Sequence, residues 1–90
     1  MNSGYRIHFM DRPLRQLRLL ARRAQDRIRL AIEKLALNPR PAGVFALDPA
    51  RQIYRLTVSP HRIVYRVDEL HEEIVVLVIQ EWPGKPRMTN

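Results

Sequence analysis

Arginine is the side chain with chemistry to offer in this sequence. There are 14 Arg and 2 Lys against 9 Asp plus Glu, for a formal net charge of +7. A guanidinium stays charged at any working pH, and its planar fork matches the oxygens of a phosphate bidentately. Three arginines, Arg55, Arg62 and Arg66, fall in two adjacent segments of alternating polarity. His61 precedes Arg62 at the turn between those segments, where an imidazole could move a proton for a ligand held by the arginines. Glu81 and Trp82 follow the last apolar run. Glu81 can act as a base or pair with an arginine, and Trp82 can stack on a nucleobase or pack the tail.

Other chemistries lack their residues. With no cysteine there is no disulfide, thiolate nucleophile or thiolate metal site. His8, His61 and His71 share no metal-ligand spacing, and no carboxylate cluster stands beside them, so neither a metal nor another cofactor is expected. His8 reads as a structural residue of a strand and His71 as a solvated residue of an acidic turn. No glycine-rich phosphate loop, serine-nucleophile motif or HExxH is present. An enzyme built from this set would work by positioning and electrostatics around a scissile phosphate.

The charge is uneven. Residues 1–67 hold 14 basic and 4 acidic side chains, whereas residues 68–90 hold 2 basic and 5 acidic. A field of that sign attracts nucleic acid or an acidic protein partner. The longest apolar run, Ile74–Ile79, has six residues, far short of the ~20 that span a bilayer. The expectation is one small cytoplasmic domain, residues 1–90, with no membrane partner.

The elements that carry these residues follow from periodicity. Tyr5–Phe9 alternates as a strand. Asp11 is placed to cap a helix with Pro13 in its first turn, and Leu14, Leu17, Leu20, Ala21 and Ala24 recur at helical spacing. Ile28, Ala31, Ile32 and Leu35 continue the pattern until Pro39 stops it near Leu37 or Asn38. A helical hairpin turning near Ala24–Asp26, opened by Gln25 or Asp26, is inferred. One long bent helix is the alternative. Three strands follow, Gln52–Val58, His61–Asp68 and Glu73–Gln80, reversing at Ser59-Pro60 and at Glu69–Glu72. The fold class is α+β: an N-terminal strand, a helical hairpin, then a three-stranded antiparallel meander forming one sheet with the helices on one face.

Alternation then separates the two faces of the sheet. If Ser59-Pro60 closes a two-residue hairpin, Val58 opposes His61, Thr57 opposes Arg62, Arg55 opposes Val64 and Ile53 opposes Arg66. Tyr54, Leu56, Val58, Ile63, Tyr65 and Val67 fall on one face, the one helices must cover. Arg55, Arg62 and Arg66 fall on the other. Like charges on neighbouring strands repel, and no acid is interleaved. Either they form a phosphate-binding surface, or acids such as Glu81 come from elsewhere to pair with them. The last strand, apolar throughout, is expected at the centre of the sheet, and its register cannot be fixed by pattern.

The ordered set resembles the RelE/ParE superfamily of toxins from bacterial type II toxin–antitoxin pairs. The resemblance rests on the helical stretch ending in Asn38-Pro39-Arg40-Pro41 and on Ile53-Tyr54-Arg55-Leu56 followed by His61-Arg62-Ile63-Val64-Tyr65-Arg66-Val67, which is similar to the family's paired "YRL" and "YRIVY" strands. It implies a RelE-like fold and a toxin silenced by a cognate antitoxin in a hetero-oligomer. In the RelE branch it implies an mRNA endonuclease that acts on the ribosome without a metal. The RNA 2′-hydroxyl would attack the adjacent phosphate beside Arg55 and Arg62, with His61 and Glu81 as further catalytic candidates and Arg66, Trp82, Lys85 and Arg87 binding RNA. The chain departs from that branch at Thr57, where a second basic residue is common, and at His61, where Tyr is common. It also lacks a terminal Tyr, which leaves the leaving-group acid unidentified. In the ParE branch the resemblance implies a DNA gyrase inhibitor without nuclease activity. A catalytically dead member that binds only its antitoxin is the third reading.

Overall fold

The computed structural model describes residues 4–82. Its elements are β1 (Arg6–Phe9), α1 (Asp11–Leu19), α2 (Arg22–Leu37), β2 (Phe45–Asp48), a 3₁₀ turn at Pro49–Arg51, β3 (Ile53–Val58), β4 (His61–Asp68) and β5 (Glu73–Glu81). The strands form one sheet in the order β1-β5-β4-β3-β2. The α+β class and the meander β3–β5 are as expected, and β5 lies inside the sheet. Two features differ from expectation. β1 runs parallel to β5, so the sheet is mixed and not antiparallel throughout. β2, four residues with little burial, adds antiparallel to β3 as a second edge.

The helices turn earlier than their spacing suggested. Leu20 and Ala21 are both extended, and they separate α1 from α2 without Gly or Pro. The Gln25 side-chain amide donates to the Leu20 carbonyl at 2.9 Å and to that of Arg18 at 3.3 Å, supplying donors to the end of α1. Asp26 therefore sits inside α2, near Arg22 one turn back at 3.5 Å. Asp11 does not cap α1 either. It is the first helical residue, and the cap position falls on Met10, which has no side chain able to cap.

One face of each helix meets one face of the sheet. Leu17, Ile28 and Ile32 are buried with Ile63, Val76 and Ile79, with Leu56 and Val58 packed alongside. Leu35 joins Tyr54, Tyr65, Val67 and Ile74 in a second cluster. The β3–β4 register is the inferred one: Val58↔His61, Thr57↔Arg62, Arg55↔Val64 and Ile53↔Arg66. The β4–β5 register holds an irregularity. Tyr65 opposes Val76 but Val64 opposes Val78, so Leu77 is left without a partner. This β-bulge shifts the alternation by one residue. Ile79 and Glu81 keep the side of Ile63 and His61, while Val78 and Gln80 keep that of Val64 and Arg62.

The Tyr54 and Tyr65 rings stack with centroids 5.8 Å apart. The Tyr65 hydroxyl donates to the Pro39 carbonyl at 2.7 Å, tying the segment after α2 to β4. Arg40, next along, donates to the Tyr54 hydroxyl at 2.9 Å and to Glu69 at 2.6 Å, with Gln52 as a third acceptor. The bond to Tyr54, then that to Glu69, holds the Arg40 pKa above its ordinary value. Burial, and to a lesser degree the neighbouring Tyr54, pushes the Tyr65 phenol up to about 12. A phenol kept neutral in the fold loses protons first from the unfolded chain, above about pH 10. Between there and pH 12 the folded state binds more protons, so stability falls as pH rises. Tyr65→Phe is expected to flatten this alkaline decline and to cost about 1 kcal/mol at neutral pH, through the lost hydrogen bond. Urea denaturation at pH 8 and pH 11 measures both.

Candidate functional site

With the helices on the other side, no helix or strand among the described residues covers the face that carries Arg55, Arg62 and Arg66. β3 presents Arg55 and Thr57, β4 presents Arg62, Val64 and Arg66, and β5 presents Val75, Val78 and Gln80. Arg55 opposes Val64 and so sits diagonally between Arg62 and Arg66. The three arginines are each partly buried as residues. Desolvation lowers the Arg62 pKa, and the positive charge of Arg55 lowers it further.

Aromatic rings occupy the places where acids would relieve this repulsion. The Arg62 guanidinium carbon lies 4.2 Å from the centroid of the Trp82 ring, and that of Arg55 lies 4.7 Å from the Phe45 ring. Such cation–π contacts attract the cation to the ring face and hold the guanidinium plane without using up its N–H groups. Trp82 is itself fixed, because its backbone N–H donates to the Pro60 carbonyl at 2.6 Å. The Nε atoms of Arg55 and Arg62 are buried without a hydrogen-bond partner, and neither residue forms an ion pair among the described residues. Arg66 differs. Its Nη1 lies 3.9 Å from the Asp68 carboxylate. That carboxylate is taken mainly by His71, through the ring Nδ1 at 2.9 Å and the backbone N–H at 3.1 Å, which hold Asp68 below the usual carboxylate range.

Two candidates lie elsewhere. His61 shares its side of β4 with Ile63 and Tyr65, so it points toward the helices, where only 7% of it is exposed. A neighbour in sequence along a strand faces the opposite way, and His61 does not reach a ligand held by Arg62 on the open face. Glu81 opposes His61 and shares that side. It pairs with none of the three arginines, contrary to the expected alternative. Trp82 is brought to the arginines as a ring beneath a guanidinium. Lys85 and Arg87 lie outside the described residues. His8 is exposed on the open face of β1, opposite Val75, and is not a packed structural residue. His71 is bound to Asp68 and not merely solvated. Phe45 is the site residue that sequence reasoning missed. Only its pairing with Arg55 places it, and a four-residue edge strand leaves no periodic signal for that pairing.

Solved structures share this architecture. The isolated RelE toxin of E. coli superposes with a TM-score of 0.79 at 17% identity, over 94% of this chain and 89% of that one. The RelE of the RelE–RelB complex from Pyrococcus horikoshii OT3 gives 0.82 at 19% identity, over 92% of this chain and 100% of that one. The RelBE2 toxin–antitoxin complex of Mycobacterium tuberculosis gives 0.73 at 21% identity, over 88% and 99%. These likenesses establish a RelE-like fold. No curated protein matches in sequence. The family model of the ParE toxin of type II toxin–antitoxin systems, parDE, matches residues 7–81, which include both helices and every strand but the first residue of β1. The chain therefore belongs to the ParE toxin family, within the RelE/ParE superfamily, and is a toxin of a type II toxin–antitoxin pair.

Proposed function

We propose that the toxin is an mRNA endonuclease that acts on the ribosome and that its arginine face holds the scissile phosphate. The observation that carries this reading is the pair Arg55 and Arg62: adjacent, without carboxylate partners among the described residues, and each supported by an aromatic ring. In cleavage by transesterification the RNA 2′-hydroxyl attacks the neighbouring phosphorus and the 5′-oxygen leaves. The extra negative charge develops on the phosphoryl oxygens. Two guanidiniums already oriented by ring contacts stabilise that charge with little reorganisation. Arg66 extends the surface along the RNA backbone, and exposed parts of Trp82 and Phe45 offer rings to bases.

A second reading, gyrase inhibition without RNA cleavage, is favoured by one observation. The neighbours of Arg62 on its face, Thr57, Gln80 and Trp82, carry no group that titrates near neutral pH, so proton transfer has no donor or acceptor beside it among the described residues. Induction in cells with mapping of mRNA 5′ ends, beside a gyrase supercoiling assay, separates the two. New 5′ ends within translated codons support the first. Intact messages with blocked supercoiling support the second. Intact messages, normal supercoiling and healthy cells identify a toxin that retains only antitoxin binding. On the first reading Arg62→Ala lowers cleavage about 10²–10³-fold, the usual cost of one oriented transition-state donor. Its melting temperature stays close to that of the parent protein, because the side chain is outside the core.

The partner we infer is a cognate antitoxin with an acidic, amphipathic segment. A chain of net charge +7 attracts acid. Between α2 and β3 runs an apolar groove of about 490 Å³, walled by Leu30, Ala31, Leu35 and Leu56 with Arg27 and Lys34 at its rim. A helix that presents apolar residues to the groove and acids to the rim fits this surface. Leu30 is 54% exposed and not needed by the core. Leu30→Glu is expected to weaken antitoxin binding at least about tenfold, as titration calorimetry with the purified antitoxin would measure.

A further inference from the structure

His61 and Glu81, displaced from the arginine face, meet in a second place. A cavity of about 320 Å³ opens between α1 and the β4–β5 pair, lined by Gln16, Leu19, Leu20, His61, Ile79, Gln80 and Glu81. Two buried polar atoms of its lining have no partner: His61 Nδ1 and Gln16 Oε1. His61 is only 7% exposed and borders this opening. A buried polar atom without a hydrogen bond is costly to keep and marks a group waiting for a ligand. Glu81 adds a carboxylate that forms no ion pair among the described residues. The bulge at Leu77 creates this grouping. Without it Glu81 would lie beside the arginines, where it would quench them.

The chemistry of the lining selects the ligand. Gln16 offers a carbonyl oxygen, Glu81 a carboxylate, and His61 Nδ1 a lone pair in the tautomer protonated at Nε2. The Glu81 carboxylate is the charged group of this lining, and with the unpartnered Gln16 and His61 acceptors beside it suits the N–H donors of a primary ammonium. Leu19, Leu20 and Ile79 supply an apolar wall for the methylene stem behind it. A carboxylate or phosphate would meet the Glu81 charge with no Arg or Lys in the lining to offset it. We propose that this cavity is a binding site for an alkylammonium group, separate from the arginine face and of opposite preference. In a chain this basic, it is a place where a cation is welcome. The group can be the side chain of a lysine on a partner polypeptide or the end of a free polyamine.

The test is an NMR titration of the full-length toxin, reading the His61 ring ¹⁵N shifts and the Leu19 and Ile79 methyl groups. The probes are pentylammonium, pentanoate, spermidine and Nα-acetyl-lysine methylamide. Pentylammonium should give saturable shifts and pentanoate none. Glu81→Gln, at an exposed position, should raise the pentylammonium midpoint about tenfold, the effect of losing one charged hydrogen-bond partner. Gln16→Glu should lower the midpoint, and Arg62→Ala should leave it unchanged. Tighter binding of the lysine amide assigns the site to a partner's lysine, and tighter binding of spermidine assigns it to a polyamine. Shifts from pentylammonium no larger than those from pentanoate, or a midpoint that ignores Glu81→Gln, would overturn the proposal. Loss of nuclease activity in cells has no bearing on this readout, so the two readings fail separately.

Discussion

A single unpaired residue decides what each side of the sheet can do. β4 alternates strictly, and β5 can match it only if the phase of β5 changes partway along. Leu77 makes that change by dropping out of the ladder. Before it, Ile74 and Val76 pack on Val67 and Tyr65 under the helices. After it, Ile79 still packs inward, which a regular strand would forbid. The burial of Ile79 in the core is the reason the bulge is stable there. The functional consequences come with it. Trp82 lands beside Arg62, and Glu81 is carried away from the arginines to the helix side.

That separation resolves an electrostatic problem. Guanidiniums on adjacent strands repel, and a fold usually answers with carboxylates. Here Glu81 lies on the opposite face, and Asp68, 3.9 Å from Arg66, is bound mainly by His71. Aromatic faces do part of the work of acids. They attract the cation through the ring quadrupole and leave its N–H edges unbonded. A carboxylate would stabilise the free protein better, yet it would occupy the N–H donors that the rings leave unbonded. A surface that keeps Arg55 and Arg62 supported but unpaired is under-stabilised in isolation, as expected of a site that gains its missing interactions on binding.

Much of this was legible in the sequence, and the exceptions have physical causes. The β3–β4 register was readable because polar and apolar residues alternate on both strands around a two-residue turn. Only one phase buries Tyr54, Leu56, Ile63 and Tyr65 together. The same alternation places His61 inward, so its distance from the arginine face was also there to read. Proximity in sequence to Arg62 obscured it. β5 was different. Ile74–Ile79 is apolar throughout and gives no polar marker by which a one-residue bulge could be seen. The break at Leu20–Ala21 uses neither Gly nor Pro and depends on the side chain of Gln25, five residues past Leu20. β2 is too short for periodicity, and with it went Phe45. The parallel pairing of β1 with β5 joins chain ends about 70 residues apart, beyond the reach of any local pattern.

The architecture also bears on how such a toxin is held silent. The arginine face and the α2–β3 groove lie on different sides of the sheet, and Arg27 and Lys34 border only the groove. A short segment seated in the groove does not cover Arg55 and Arg62. To cover the arginine face directly, a partner must continue past a sheet edge and lay acids on the open face. Of the two edges, β2 is the nearer to Arg55, since Phe45 opposes it. β2 is also exposed, short and, among the described residues, paired with a strand on one side only, features that admit an added strand. A partner helix in the groove followed by an extended acidic stretch along β2 would reach both surfaces in one pass. Contact in the groove would then supply affinity from apolar burial, while the stretch along the edge would supply inhibition by charge. These two contributions depend differently on salt, because only the second is screened.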